Sequence, residues 1–376
     1  MRIIVGADFV PSEFNINEFI NANVDALVGS ELKEILDSAD YRIFNLEIAL
    51  TDVDTPMKKS GVNFRAPTAC INAYKALGVD LLGISNNHVL DHGYDGLIST
   101  IKTIDASGIA RVGGGLSPKE AREPHIFERE GKRIGVYACC EHEFSWAQDY
   151  GYGSNGFDPL ESLDEIAEAK SRCDYLIVLY HGGKEHYRYP SPRLRKVCRK
   201  IAEKGADLVL CQHTHCIGTA EDYKGSRIVY GQGNFVFVKD RKEYPFEGWF
   251  SGMLVAVDIT DAGVSYEYIP YEMTEKGVAL SRDPSLLQGL YDRSEEAKDE
   301  LAMAKEYAEY ASGMMGSRYL KRLSGNPDYA EYIEKHGKTL FHYIECEAHY
   351  EAIHTGLKYA LGYPIFEDKV RKDHEK

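Results

Sequence analysis

The chain has 376 residues and a formal net charge of -15, with 44% hydrophobic and 27% charged residues. Such a composition buries a core and excludes a disordered chain, and the length suits one large domain plus an appendage. The acidic balance argues against nucleic acid and anionic membranes as partners, since phosphate binding needs clustered Lys and Arg; it leaves room for one cation-lined pocket that takes a small-molecule or polymeric anion.

The first apolar run, residues 2–5, stops at Gly6 and Asp8. A secretory signal needs roughly 7–15 apolar residues and a membrane helix about 20. Neither is found along the chain, so the expectation is a cytoplasmic protein with no membrane anchor. Further runs rich in Val, Ile and Leu cover residues 41–46, 81–85, 133–139, 175–180 and 208–211. Helical patterns lie between them, at 69–77, 96–106 and 193–204. Strand-length runs alternating with helices predict an α/β fold. More strands are expected at 227–230, 253–259 and 264–268. Gly113-Gly-Gly115 lacks the Gly-Lys-Ser/Thr ending of a phosphate loop and is expected to be a flexible connection.

From about residue 284 the chain turns rich in Ala, Glu, Lys and Tyr with a period near 3.6. Residues 286–315 and 329–359 read as a helical appendage broken at Gly325-Asn-Pro327, and residues 367–376 as a fraying charged tail. The division is therefore 1–284 and 285–376, with a homo-oligomer through the C-terminal helices as one use of the second part. Tyr307, Tyr310, Tyr343 and Tyr350 are expected to be packing stripes. His336, His342, His349 and His354 are expected to be structural, although His342 and His349, seven apart, can share a face. The eight Cys contain no C-x-x-C pair and read as small buried hydrophobes in a reducing compartment.

The polar residues able to bind metals cluster where the apolar runs end. Asp8, Glu47, Asn87, His181, His213 and His215 each follow a predicted strand. In an open α/β sheet, ligands bind outside the carboxyl ends of strands, so distant segments deliver side chains to one rim. His213-Thr-His215 puts two imidazoles on the same side if that segment is extended. Mixed carboxylate, amide and imidazole donors suit Mn²⁺, Fe²⁺ or Zn²⁺ better than Ca²⁺. Two such ions clamp the oxygens of a displacement and activate a nucleophile. Arg65 has the fork to hold a phosphate or carboxylate, with a surface ion pair as its alternative use. Glu141 and His142 follow another strand and are candidates to reach the rim. Asn234, in a glycine-rich turn, is a candidate for substrate contact or for support of a ligand.

Several segments together resemble the CapA (poly-γ-glutamate capsule synthesis) family. They are Gly6-Ala-Asp8, Asn45-Leu-Glu47, Phe64-Arg-Ala-Pro67, Asn86-Asn-His88 with Asp91, His181-Gly-Gly-Lys-Glu185, Gln212-His-Thr-His215 and Gly233-Asn-Phe235. Order and spacing agree over residues 1–260. That family is similar to the calcineurin-like metallophosphoesterases, which implies a four-layer α/β/β/α sandwich with a two-metal site. The resemblance implies Asp8 and His215 on metal one, Glu47 as the bridging carboxylate, and Asn87, His181 and His213 on metal two. It implies His88 as proton donor to the leaving group and Asp91 as the residue orienting it. The wider superfamily has a His two residues after the first Asp, where this chain has Val10; metal one then lacks a ligand. The expectation is a metal-dependent, phosphoesterase-like hydrolase of capsule or poly-γ-glutamate synthesis. The alternatives are a non-catalytic metal-binding or polymer-binding accessory of the same pathway and an enzyme acting on glutamyl amide bonds.

Overall fold

Alternation of side chains along the strands builds two stacked sheets, seen in a computed structural model that describes residues 1–314 and 329–360. The first sheet contains β1 (Arg2–Asp8), β2 (Tyr41–Asn45), β3 (Leu81–Gly83) and β4 (Ala110–Val112). The second begins with β5 (His125–Arg129), β6 (Lys132–Cys140), β7 (Tyr175–His181) and β8 (Leu208–Gln212), and adds β9 (Ala220–Tyr223) and β10 (Ser226–Val229). The chain then returns to the first sheet with β11 (Ser251–Thr260), β12 (Gly263–Met273) and β13 (Val278–Leu280). The strand orders are β13-β12-β11-β1-β2-β3-β4 and β9-β10-β8-β7-β6-β5. The strands nearest the site are parallel: β1 with β2, β2 with β3, β6 with β7, and β7 with β8.

Period two sorts the core into layers. Ile3, Val5, Ile43 and Leu81 of the first sheet meet Ile134, Val136, Ile177, Leu179 and Leu208 of the second. The intervening residues face outward. Ile4, Phe44 and Leu82 pack under helices α1 (Ser30–Asp37), α2 (Ile71–Ala76) and α3 (Gly93–Ser107). Tyr137, Leu176, Val178 and Val209 pack under α4 (Ser162–Ser171) and α5 (Pro192–Glu203). Helices therefore flank both outer faces of the sheet pair, as the α/β expectation requires. Each fully buried aliphatic side chain contributes about 1.5–3 kcal/mol on the usual transfer scale.

Residues 113–115 are no flexible connection. Gly114–Gly115 pairs with Gly153–Ser154, and Gly113 has φ 85°. A Cβ there would sit 2.6 Å from the Ser85 Cβ and 2.7 Å from the Ala138 Cβ, so glycine lets this backbone lie against both side chains.

Beyond the sheets lie α6 (Pro284–Glu296), α7 (Glu300–Met314), α8 (Tyr329–Glu345) and α9 (Glu347–Ala360). The expected 286–315 and 329–359 stretches are each divided, at residues 297–299 and at Cys346. Gly325-Asn-Pro327 and the charged tail lie outside the described residues. Leu290 of α6 joins the core between the sheets, while Ala311, Tyr343 and Ala352 tie α7, α8 and α9 together. Tyr307 and Tyr343 are buried packing residues, whereas Tyr350 is 54% exposed: it points away from that seam. Among the described residues no helix is long and apolar enough to cross a membrane.

Candidate metal centre

Asp8 is the last residue of β1. A bulge aims it: Val5 pairs with Ile43, but Asp8 pairs with Asn45, so one extra residue sits on β1. Glu47 follows β2 by two residues, His181 ends β7, and His213 and His215 follow β8. These segments converge. The donor atoms of Asp8, Glu47 and His215 lie within 4.8 Å of one another, as do those of Glu47, His181 and His213. Glu47 belongs to both sets. Asn87 joins through its Oδ1, 3.0 Å from His181 Nε2.

His213 and His215 converge for a different reason from the one expected. Their φ values are 86° and 55°, so this is left-handed turn backbone and not an extended strand. Such a conformation costs a non-glycine residue roughly 1–2 kcal/mol. Sheet pairing of β8 on one side and buried packing on the other hold it in place, and strain of this kind clusters at working sites.

The electrostatics favour a cation. Glu47 is fully buried, and neither of its oxygens accepts a well-aligned hydrogen bond among the described residues, its nearest donor being His181 Nε2 at 3.2 Å from Oε1; Asp8 Oδ2 is in the same position, 3.4 Å from His215 Nδ1. Burial raises the Glu47 carboxyl, but the His181 and His215 imidazoles more than reverse this and hold it down at about 2. Burial pulls His215 down, yet Glu47 and Asp8 push it up to about 9. Burial beside His181 lowers His213 to about 3, leaving a neutral imidazole suited to ligation. Buried carboxylates without donors are costly unless a cation compensates them. The residues present therefore fit divalent ions, whose binding would displace the proton from His215.

Beside this cluster His88 Nδ1 lies 2.6 Å from Asp91 Oδ2. That bond fixes the tautomer and leaves Nε2 as the ring atom available to the cavity. Asp91 also accepts from the Phe64 amide at 2.5 Å and pairs with Lys59, whose side chain is 1% exposed. His88 and His215 both line a cavity of about 660 Å³ that also takes in Lys59, Lys184, Lys239, Lys335 and Lys338. A chain of net charge -15 thus gathers lysines around one cavity.

The accessory residues fall elsewhere. Arg65 Nε lies 3.5 Å from Asp54 Oδ1 and opens on a neighbouring cavity with Pro11 and Phe14, which is the surface-pair alternative. His142 stacks on Trp146 at 4.0 Å and meets Asp149 at 3.1 Å. Glu141 is buried below the rim, where burial and the Glu347 charge raise it to about 8. Asn234 Oδ1 accepts from His215 Nδ1 at 2.8 Å; it orients a donor and is itself fully buried. His342 and His349, expected to be structural, have rings 4.6 Å apart and form part of the cavity wall.

Other participants stood in the quoted segments without an assigned role. Asn45 donates to Asp8 Oδ1 at 2.7 Å, and Asn86 donates to the Leu46 carbonyl at 2.8 Å. Both adjoin candidate ligand segments, and that adjacency was the available clue. Glu185 brings a further carboxylate within 4.8 Å of His213 and His215. Val10 is fully buried, and its amide donates to the Val236 carbonyl at 2.7 Å.

Several known proteins are similar to this chain. The capsule biosynthesis protein CapA of Bacillus anthracis is 27% identical over 232 residues, covering 59% of this chain and 56% of that one. The PGA biosynthesis protein CapA of Bacillus subtilis is 25% identical over 266 residues, covering 68% of each. The chain thus spans little more than half the length of the first and about two thirds of the second. A hypothetical protein from Thermus thermophilus is structurally similar with a TM-score of 0.46 and 16% identity, over 73% of this chain and 100% of that one. The family model for the bacterial capsule synthesis protein PGA_cap matches residues 15–239, more than half of the chain, and the chain belongs to that family.

Proposed function

We propose that this protein is a metal-dependent hydrolase of the phosphoesterase type, acting on an anionic substrate in capsule or poly-γ-glutamate synthesis. The observation that carries the reading is Glu47: a fully buried carboxylate whose oxygens accept no well-aligned hydrogen bond, shared between two clusters of side chains able to hold a metal. The two Bacillus relatives, a capsule biosynthesis protein and a PGA biosynthesis protein, point to the pathway.

In this reading Asp8 and His215 would hold one ion, Asn87, His181 and His213 would hold the other, and Glu47 would serve both. Manganese, iron or zinc, when bound, would supply Lewis-acid polarisation and a nucleophile at neutral pH. His88 gives its Nε2 proton to the departing oxygen. Asp91 keeps that ring oriented, and Lys59 neutralises Asp91. Lys184 and Lys239 line the cavity beside the donors and hold the substrate anion, while Arg65 opens on the neighbouring cavity beside Asp54.

The test is elemental analysis of protein purified without chelator, beside an Asp8→Ala, His213→Ala double variant, followed by phosphoester and glutamyl-peptide substrate screens. The expected outcome is about two ions fewer per chain in the variant, with turnover lost in the variant and on chelation. Equal metal in both proteins, or full turnover in metal-free protein, overturns the reading. Metal binding without turnover on any substrate favours a binding accessory of the same pathway.

A further inference from the structure

Among the described residues four triads of His, Cys and carboxylate donors each lie within 4.8 Å. Three draw on the centre described above. The fourth is Glu143, His342 and Cys346, and the hydrolytic reading makes no use of it. Its members come from opposite walls of the cavity. Glu143 lies on the loop after β6; His342 is in the last turn of α8, and Cys346 is the single residue between α8 and α9. The helical turn continues through this break, since the Cys346 amide donates to the His342 carbonyl at 3.0 Å. The two side chains are thus an i, i+4 pair on one face.

The distances suit one small ion. Cys346 Sγ is 3.5 Å from Glu143 Oε1, and His342 Nε2 is 3.9 Å from the same oxygen. Around a tetrahedral zinc, with Zn–S about 2.3 Å and Zn–O about 2.0 Å, sulfur and oxygen stand about 3.5 Å apart and nitrogen and oxygen about 3.3 Å. The thiol is already placed; the imidazole needs to move by about half an ångström. Thiolate, imidazole and carboxylate together select zinc over magnesium or calcium. Cys346 is 1% exposed, yet all three residues line the cavity, which leaves a fourth position for water or a substrate atom.

We propose that Glu143, His342 and Cys346 form a zinc site of their own, which pins α8 and α9 to the loop after β6. Glu143 Oε1 is also 4.0 Å from His213 Nε2, so the site adjoins the Asp8–Glu47 centre without sharing a ligand. The proposal holds whether or not that centre is catalytic. The rival is a thiol–carboxylate hydrogen bond with no ion.

Cobalt(II) substitution separates the two. Metal-stripped full-length protein is reloaded with cobalt and its near-ultraviolet spectrum recorded. A sulfur-to-cobalt charge-transfer band requires a thiolate ligand, and the Asp8–Glu47 centre has none. The expected result is a band in the native chain, retained in the Asp8→Ala, His213→Ala variant and absent in Cys346→Ser. His342→Gln, which keeps the thiol, is expected to weaken cobalt binding at least tenfold. No band in the native chain overturns the proposal. So does a band unchanged in Cys346→Ser or a titration unchanged in His342→Gln.

Discussion

The two walls of the cavity are built by different means. One is the strand-end rim, where Asp8, Glu47 and His181 are 0–3% exposed and held by paired strands. The other is α8 and α9, where Phe341 and Ile344 are 62% and 63% exposed and the lysines stand in the open. On the proposed reading the rim carries the metal donors, with Asp8 and His181 fixed by sheet hydrogen bonds and the others standing just beyond strand ends. The helical wall depends on a small cluster around Ala311, Tyr343 and Ala352. It is suited to admitting and gripping a substrate. Substitutions on the rim should therefore act on turnover or stability, and substitutions on the wall on affinity.

The largest effect should come from His88→Ala, which removes the proton donor and leaves the ligands alone. kcat should fall by about 10²–10⁴ with metal content unchanged. A normal kcat would break the assignment of the rim as catalytic. Asp91→Ala should leave Lys59 buried without its partner, at a cost of about 3–5 kcal/mol, read as a lower midpoint in urea. An unchanged midpoint would mean that Lys59 finds water or another acceptor.

Glu141 lies where rim and wall meet, with Glu347 of α9 among the charges that raise it. Its carboxyl stands at about 8 in the fold, against an ordinary value of 4.5. Between those values the folded chain holds a proton that the unfolded chain has released. This group's contribution is therefore full below about pH 4.5 and lost as pH rises toward 8. Glu141→Gln should flatten that decline, by on the order of a few kcal/mol at about pH 8, in denaturation curves taken across the range. An identical slope in the variant would place the protonated group elsewhere. The smallest effect belongs to the open face of the wall. Lys335→Ala with Lys338→Ala should raise KM a few-fold, since exposed pairs contribute about 0.2–1 kcal/mol each. The change should shrink with added salt and leave kcat alone; a fall in kcat would bring the wall into the chemistry.

Much of the rim was readable along the chain. Runs such as residues 175–180 and 208–211 are continuously apolar because both faces of these strands are buried, and the donors that end them are placed by the backbone itself. Asp8, Glu47, His181 and the His213–His215 pair follow from that rule, although the pair converges by a left-handed turn and not by strand alternation. Residues whose partners are distant were not readable. Lys59 acquires its role only because Asp91 is buried beside it. Arg65 stands beside Asp54 on a neighbouring cavity, the ion pair that was its alternative use, and a local motif does not tell which way a side chain turns once packed.

The helical wall marks the boundary. Its periodicity foretold helices from about residue 284, since amphipathic spacing is a property of neighbours in sequence. Nothing in that spacing places His342 and Cys346 against Glu143, some two hundred positions earlier. That meeting depends on how α8 and α9 seat on the sheets, and burial and packing over the whole molecule set it. Strand-end donors are legible because each strand carries its own ligand to the rim. A site assembled from two separate elements exists only after both have docked.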